Sequence, residues 1–329
     1  MVVTIAPLLP WGVAQTTAAT ATIAPRPGIG TSFSRPTMVD PITIALHVAS
    51  DSLVLNDSRD YILKMPSQKK TGPLVIQGGR NIEIIGGYMS TKVKGPNIVI
   101  WDDANVQPGR IVHIEGLLID GSSGVQSDGI VIKAPKTIVQ VENCRVVDLI
   151  GKLSGYHADV IQPFGGVMEL RIDGLSAASH YNNLYLRRES SPLGPTIGKV
   201  VIRNSNFWGY KNSYTPSETL RAISLGTQAD PPSDDSQAID CKITSPVVLT
   251  SVYAAPPSGK RLGQFVYPHD SMGGAASYCS AVVSADGMSA DWPALRASNG
   301  GQITGKVLLG PPPGGDFVPV GVAGIGYRG

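Results

Sequence analysis

The sequence predicts an all-β fold, a right-handed parallel β-helix (a solenoid) with an extended N-terminal arm and a C-terminal β-rich cap or accessory region. Three observations lead there. A phrase of apolar, polar and apolar residues, then an acidic or amide residue and a turn, occurs at Val112-His113-Ile114-Glu115-Gly116, Val139-Gln140-Val141-Glu142-Asn143 and Leu170-Arg171-Ile172-Asp173-Gly174, and more loosely at Val200-Val201-Ile202-Arg203-Asn204. Its central residues Ile114, Val141, Ile172 and Ile202 stand 27, 31 and 30 residues apart, a period expected of solenoids rather than of ordinary globular folds. A second phrase lies between the first ones: Asp128, Asp159 and Asn182 fall in one column, and Ile130, Ile161 and Leu184 in another two residues on. Third, short apolar runs from Tyr61 to Ile100 are punctuated by Gly and Asn, which permit tight corners and satisfy turn backbone groups.

No single repeat of this kind buries its inner face alone, so each must stack on its neighbours to make a continuous core. Alternation along each strand then assigns faces. Ile130, Ile132, Ile161, Leu184 and Leu186 are expected to point inward, and Val131, Lys133, Gln162, Tyr185 and Arg187 outward.

In chain order, residues 1–51 form the arm or attachment segment. Its runs Thr16-Thr17-Ala18-Ala19-Thr20-Ala21-Thr22 and Pro25-Arg26-Pro27-Gly28-Ile29-Gly30 offer few large apolar side chains, so it is ordered by what it docks against. Either it lies along the solenoid or it grips a partner. Met1–Val13 is apolar, yet no Lys or Arg precedes it and Pro7 and Pro10 interrupt it, which makes a poor signal peptide. Short strands at 42–46 and 52–55 follow, the first capping a solenoid that occupies 52–230. Ile223 comes 39 residues after Leu184, so Arg221–Leu225 reads as a further second-phrase strand after an inserted loop. Asp230–Asp235 is a linker-like break, and runs such as Val247–Tyr253, Gln264–Tyr267 and Val307–Leu309 make 231–329 the accessory β region.

Composition excludes little but is informative. The 27 basic and 25 acidic residues give a net charge of +2, without the electrostatic footprint of a nucleic-acid or anionic-membrane partner. Cys144, Cys241 and Cys279 are too few for a disulfide framework and lack metal-ligand spacing; Cys144, inside a strand phrase, reads as a small buried hydrophobe. No apolar run reaches membrane-spanning length.

Two sites compete for chemistry. His157, Asp159 and His180 are the catalytic candidates: the column places His157 on His180 and Asp159 on Asn182, an imidazole pair beside a carboxylate suited to acid/base work. The alternative is a polar ladder of Asp128, His157, Asp159, His180 and Asn182 that closes the strand ends and satisfies turn amides. Tyr185, Arg187, Trp208 and Tyr210 are the glycan-binding candidates, aromatics with a polar rim on which sugar rings stack. A glycosidase needs converging carboxylates and a calcium-dependent lyase a carboxylate cluster; the outward column supplies neither, so no cofactor or metal is expected.

His157-Ala158-Asp159-Val160-Ile161-Gln162-Pro163-Phe164-Gly165-Gly166, followed by Leu170-Arg171-Ile172-Asp173, resembles the central repeat of β-helix minor tail proteins from tailed phages of actinobacteria, a pectate-lyase-like right-handed parallel β-helix. The ending, from Gly310-Pro311-Pro312-Pro313-Gly314-Gly315-Asp316 to Gly324-Ile325-Gly326-Tyr327, is similar to the C-terminus of the same group. The resemblance implies a structural virion protein of the tail tip, a minor tail protein, fibre or spike, assembled in the host cytoplasm. It further implies a homotrimer held to other tail-tip proteins through the N-terminal arm and touching the host envelope or its cell-wall glycans, with no nucleic acid and no membrane span. No catalytic set carries over. The competing expectation is a polysaccharide lyase or glycoside hydrolase on the same scaffold, free or tail-borne.

Overall fold

The structure is a computed structural model that describes residues 33–151, 156–186, 197–210, 221–225, 246–256, 282–291 and 303–328, all within one unit, Thr31–Gly329. Residues 1–32 of the arm, Arg187, Cys241, Cys279 and much of 231–329 lie outside the described residues. The described residues are all-β, without helix.

The strands begin with β1 (Ile42–Ala45), β2 (Asp51–Leu55), β3 (Tyr61–Lys64), β4 (Leu74–Gly78), β5 (Ile82–Ile85), β6 (Tyr88–Met89) and β7 (Ile98–Trp101). They continue with β8 (Arg110–Glu115), β9 (Leu118–Asp120), β10 (Ile130–Leu149), β11 (Asp159–Gln162), β12 (Val167–Ser179), β13 (Asn182–Leu186) and β14 (Ile197–Gly209). The last are β15 (Arg221–Leu225), β16 (Val247–Ala255), β17 (Val282–Val283), β18 (Ser289–Asp291), β19 (Ile303–Thr304) and β20 (Val307–Leu309).

Pairing is overwhelmingly parallel and falls into three ladders that meet in β10. The first joins β1, β3, β5, β8, β10, β12, β14, β16 and β19. The second joins β2, β4, β7, β10, β11, β13 and β15. The third joins β6, β9 and the later parts of β10, β12, β14 and β16 to β20. Only β17–β18 and β18–β20 pair antiparallel among the described strands, at the C-terminal end.

The registers match the columns read from the sequence. Ile84, Ile114, Val141, Ile172 and Ile202 are partners in turn, each fully buried, and Leu249 follows them. Ile130, Ile161, Leu184 and Ile223 make the matching column of the second ladder. Burying each such aliphatic side chain contributes about 2 kcal/mol, and the contribution exists only because a neighbouring repeat covers it. The sheet also takes in β1, inside 1–51, and β16, inside 231–329, so neither boundary is a break in the parallel pairing.

The turn in each phrase has a single conformation. Gly86, Gly116, Asn143, Gly174, Asn204 and Ser251 follow the last residue of the first ladder and have φ of 68°, 67°, 51°, 69°, 45° and 53°. That left-handed region suits Gly and tolerates Asn, which explains why those two residues dominate the column. The chain bends there from the first ladder into the third.

Two outcomes differ from the sequence reading. Val131 points outward by alternation yet is buried, 4% exposed. Lys70 is a fully buried cation that sequence gave no reason to place inside; its ammonium donates to the carbonyls of His47 and Ala49 and to Asp51, closing the first turn.

Candidate functional site

The His157 cluster is assembled as a ladder. Asp159 is fully buried and accepts from Asn182 Nδ2 at 2.8 Å, while its own backbone N–H donates to Asp128 Oδ1 at 2.9 Å. Tyr156 donates to the other Asp128 oxygen at 2.7 Å, and Asn97 Nδ2 donates to the Asp128 carbonyl at 2.8 Å. Burial pushes the Asp128 carboxyl up to about 6. The imidazole pair is replaced by two mixed stacks: His157 lies on Tyr181 with ring centroids 4.5 Å apart, and His180 on Tyr210 at 4.6 Å. Burial lowers the His180 pKa, against the smaller opposing effect of Asp148.

The aromatic candidates are dispersed. Tyr185 is half-buried on β13 in the second ladder, whereas Trp208 and Tyr210 lie at the end of β14. The Trp208 face is covered by the Arg145 guanidinium at 5.2 Å, and Tyr210 is occupied by His180. Arg187 lies outside the described residues. The second ladder instead presents Trp101, 40% exposed, with the Lys133 ammonium 5.4 Å from its ring and 4.8 Å from that of Phe164.

A dense set of charged groups lies on the outer face of the first ladder, where the sequence pattern flagged no site. Glu115, Glu142 and Asp173 are register partners in successive repeats, and His113, Gln140 and Arg171 form the adjoining column. Two distant segments cover them. In the first, Phe33 lies over the Arg203 guanidinium at 4.0 Å, Ser34 O accepts from Gln140 at 3.3 Å, and Arg35 donates to Glu115 at 2.6 and 3.0 Å. Farther along, Thr37 O accepts from Asn81 and Val39 N–H donates to Asp60, so residues 33–39 run back across successive repeats.

The C-terminal strap takes a similar course. Asp316 accepts from Arg145 at 2.7 Å and Asn206 at 2.9 Å, and Val318 N–H donates to Ser176 Oγ at 2.8 Å. Gly324 exchanges backbone bonds with Gly116 and Gly87, and Tyr327 donates to Glu115 Oε1 at 2.7 Å. A side chain at Gly116 would enter the Tyr327 ring. The residues that carry the resemblance at the C-terminus are thus part of the fold. Comparison of the chain with protein-family models, curated proteins and solved structures finds no match.

The electrostatics follow from this cover. Burial alone would raise the Glu115 carboxyl, but bonds from His113, Tyr327 and Arg35 outweigh it and bring it to about 2. Burial pushes Glu142 up to about 7; its Oε1 has no hydrogen-bond partner and lies 3.9 Å from His113 Nδ1. Asp173 is neutralised by Arg203 at 2.6 Å and bonded by Asn204 at 2.8 Å. Two carboxylates with separated pKa values resemble an acid/base pair in chemistry alone. Glu115 is saturated by three donors, and with Glu142 only 2% exposed the pair has no face for a substrate. Among the described residues no group of three His, Cys, Asp or Glu is arranged to hold a metal ion, and no helix is long and apolar enough to cross a membrane.

Proposed function

We propose that the chain is a structural virion protein of the phage tail tip, a minor tail protein, fibre or spike, built as a right-handed parallel β-helix. One observation carries this reading. The C-terminal stretch with the tail-protein resemblance is a strap laid along the ladders from Asn206 back to Gly87, an arrangement that stiffens a shaft. The strand ladders, the Asn182–Asp159–Asp128 bonds and the three donors on Glu115 add support, since these polar groups serve cohesion.

On this reading the N-terminal arm docks to other tail-tip proteins, three copies assemble as in tail fibres, and the outer face of the solenoid or its C-terminal region meets the host envelope or its cell-wall glycans. A mass-spectrometric inventory of purified particles is expected to contain the chain. Incubation of the purified protein with host cell-wall glycans is expected to release no new reducing ends or unsaturated products. Depolymerisation that disappears in His157→Ala or Asp159→Asn would establish the lyase or hydrolase instead.

A further inference from the structure

His113 lies at the centre of the covered face, fully buried, with both ring nitrogens against acceptors. Nε2 is 3.1 Å from Glu115 Oε2, and Nδ1 is 2.9 Å from Gln140 Oε1. The Gln140 amide is fixed in that orientation because its Nε2 donates to Ser34 O at 3.3 Å. Glu115, kept ionised by Arg35 and Tyr327, can only accept. Both ring nitrogens must therefore donate, and a histidine that donates twice is an imidazolium.

We propose that His113 is a proton-operated latch that holds residues 33–39 and the strap 316–327 on the first ladder while protonated, and loosens both on losing that proton. It reaches the first segment through Gln140 and Ser34, and the strap through Glu115 and Tyr327. A neutral ring keeps one N–H, so either Glu115 or Gln140 loses its donor inside the covered face. The charged and titratable groups around it come from every element packed there. They are Glu83 on β5, Glu115 on β8, Glu142 and Cys144 on β10, Arg171 and Asp173 on β12, Arg203 on β14, and Arg35 and Tyr327 on the covering segments.

The cysteine stays a thiol, pushed up to about 12 by burial, so the stacked carboxylates rely on His113, Arg35 and Arg203 for positive charge. Burial lowers the His113 pKa, but the bonds to Glu115 and Gln140 and the charges of Glu142 and Glu115 outweigh it, and the net direction is upward from 6.5. A pKa raised in the closed state gives stability that is complete below 6.5 and lost as pH rises through the raised value. The latch therefore opens toward alkaline pH. The proposal goes beyond the virion reading and does not depend on it.

Hydrogen exchange by mass spectrometry on the full chain from pH 5.5 to 8.5, corrected for intrinsic exchange, tests it. Opening of 316–327 is expected to rise about tenfold per pH unit above the ordinary histidine value and to flatten beyond the raised one. In His113→Gln that slope should vanish. A flat profile in the wild type overturns the proposal, as does a slope that survives His113→Gln or one that is lost only in Glu142→Gln. Nitrogen-15 shifts of the His113 ring give a second readout without any variant. Both nitrogens in the imidazolium range at pH 6 are expected, and a neutral tautomer there overturns the latch.

Discussion

The outer faces of the first and second ladders share one alternation and have opposite surroundings. On the first, His113, Gln140, Glu115, Glu142 and Asp173 point away from the core and are nevertheless buried beneath the two covering segments. On the second, Val54 is 74% exposed and Trp101 40%, with nothing comparable laid across them among the described residues. Alternation therefore fixes the direction of a side chain and leaves its solvation to whatever the rest of the chain brings over it. A polar face under cover is held by specific donors, and removing one strands its partner; an open face returns its groups to water.

Substitutions on the two faces should separate accordingly. The largest effect is expected from Glu115→Ala, which strands Arg35, His113 and Tyr327 together. Urea unfolding should show a loss of about 3 kcal/mol. In the wild type the same carboxylate should make stability acid-sensitive. Its pKa is depressed from 4.5 to about 2, so its contribution is complete above 4.5 and is lost as pH falls toward 2. Thermal midpoints in Glu115→Gln should lack that component.

Gly116→Ala comes next. It places a Cβ in the Tyr327 ring at a residue with φ of 67°, and limited proteolysis should nick the strap faster, with a loss of about 2 kcal/mol. At Gly109, with φ of 88° and open space around it, the same change should cost only about 1 kcal/mol. Equal losses at the two glycines would mean the ring is not seated on Gly116. On the open face, Lys133→Ala and Val54→Ala should each shift unfolding by less than about 1 kcal/mol.

Much of the architecture was visible in the chain because each repeat reports the same constraint. Ile114, Val141, Ile172 and Ile202 must face one core, and Gly116, Asn143, Gly174 and Asn204 must share one corner, so period and turn chemistry gave the register directly. The covered face was not visible in the same way. Arg35 is 80 positions from Glu115 and Tyr327 is 212, and no local pattern announces such contacts. The one available signal was the pair of polar positions flanking the central apolar residue of the phrase, which set His113, Glu115 and Glu142 close together on one face. The sequence columns set His157 on His180, whereas the rings stack on Tyr181 and Tyr210, aromatics whose stacking an alignment of backbone positions does not register.

Both covering segments meet at the single Glu115 carboxylate. A double-mutant cycle with Arg35→Ala and Tyr327→Phe, read by urea unfolding, tests that most directly. Tyr327→Phe alone should lose about 1.5 kcal/mol, the order of a hydrogen bond to a charged group. The two changes together should depart from additivity by about 1 kcal/mol, because each donor's value depends on the carboxylate the other helps to hold. Additivity within about 0.3 kcal/mol would show that the two segments bind independently and would contradict the shared clasp.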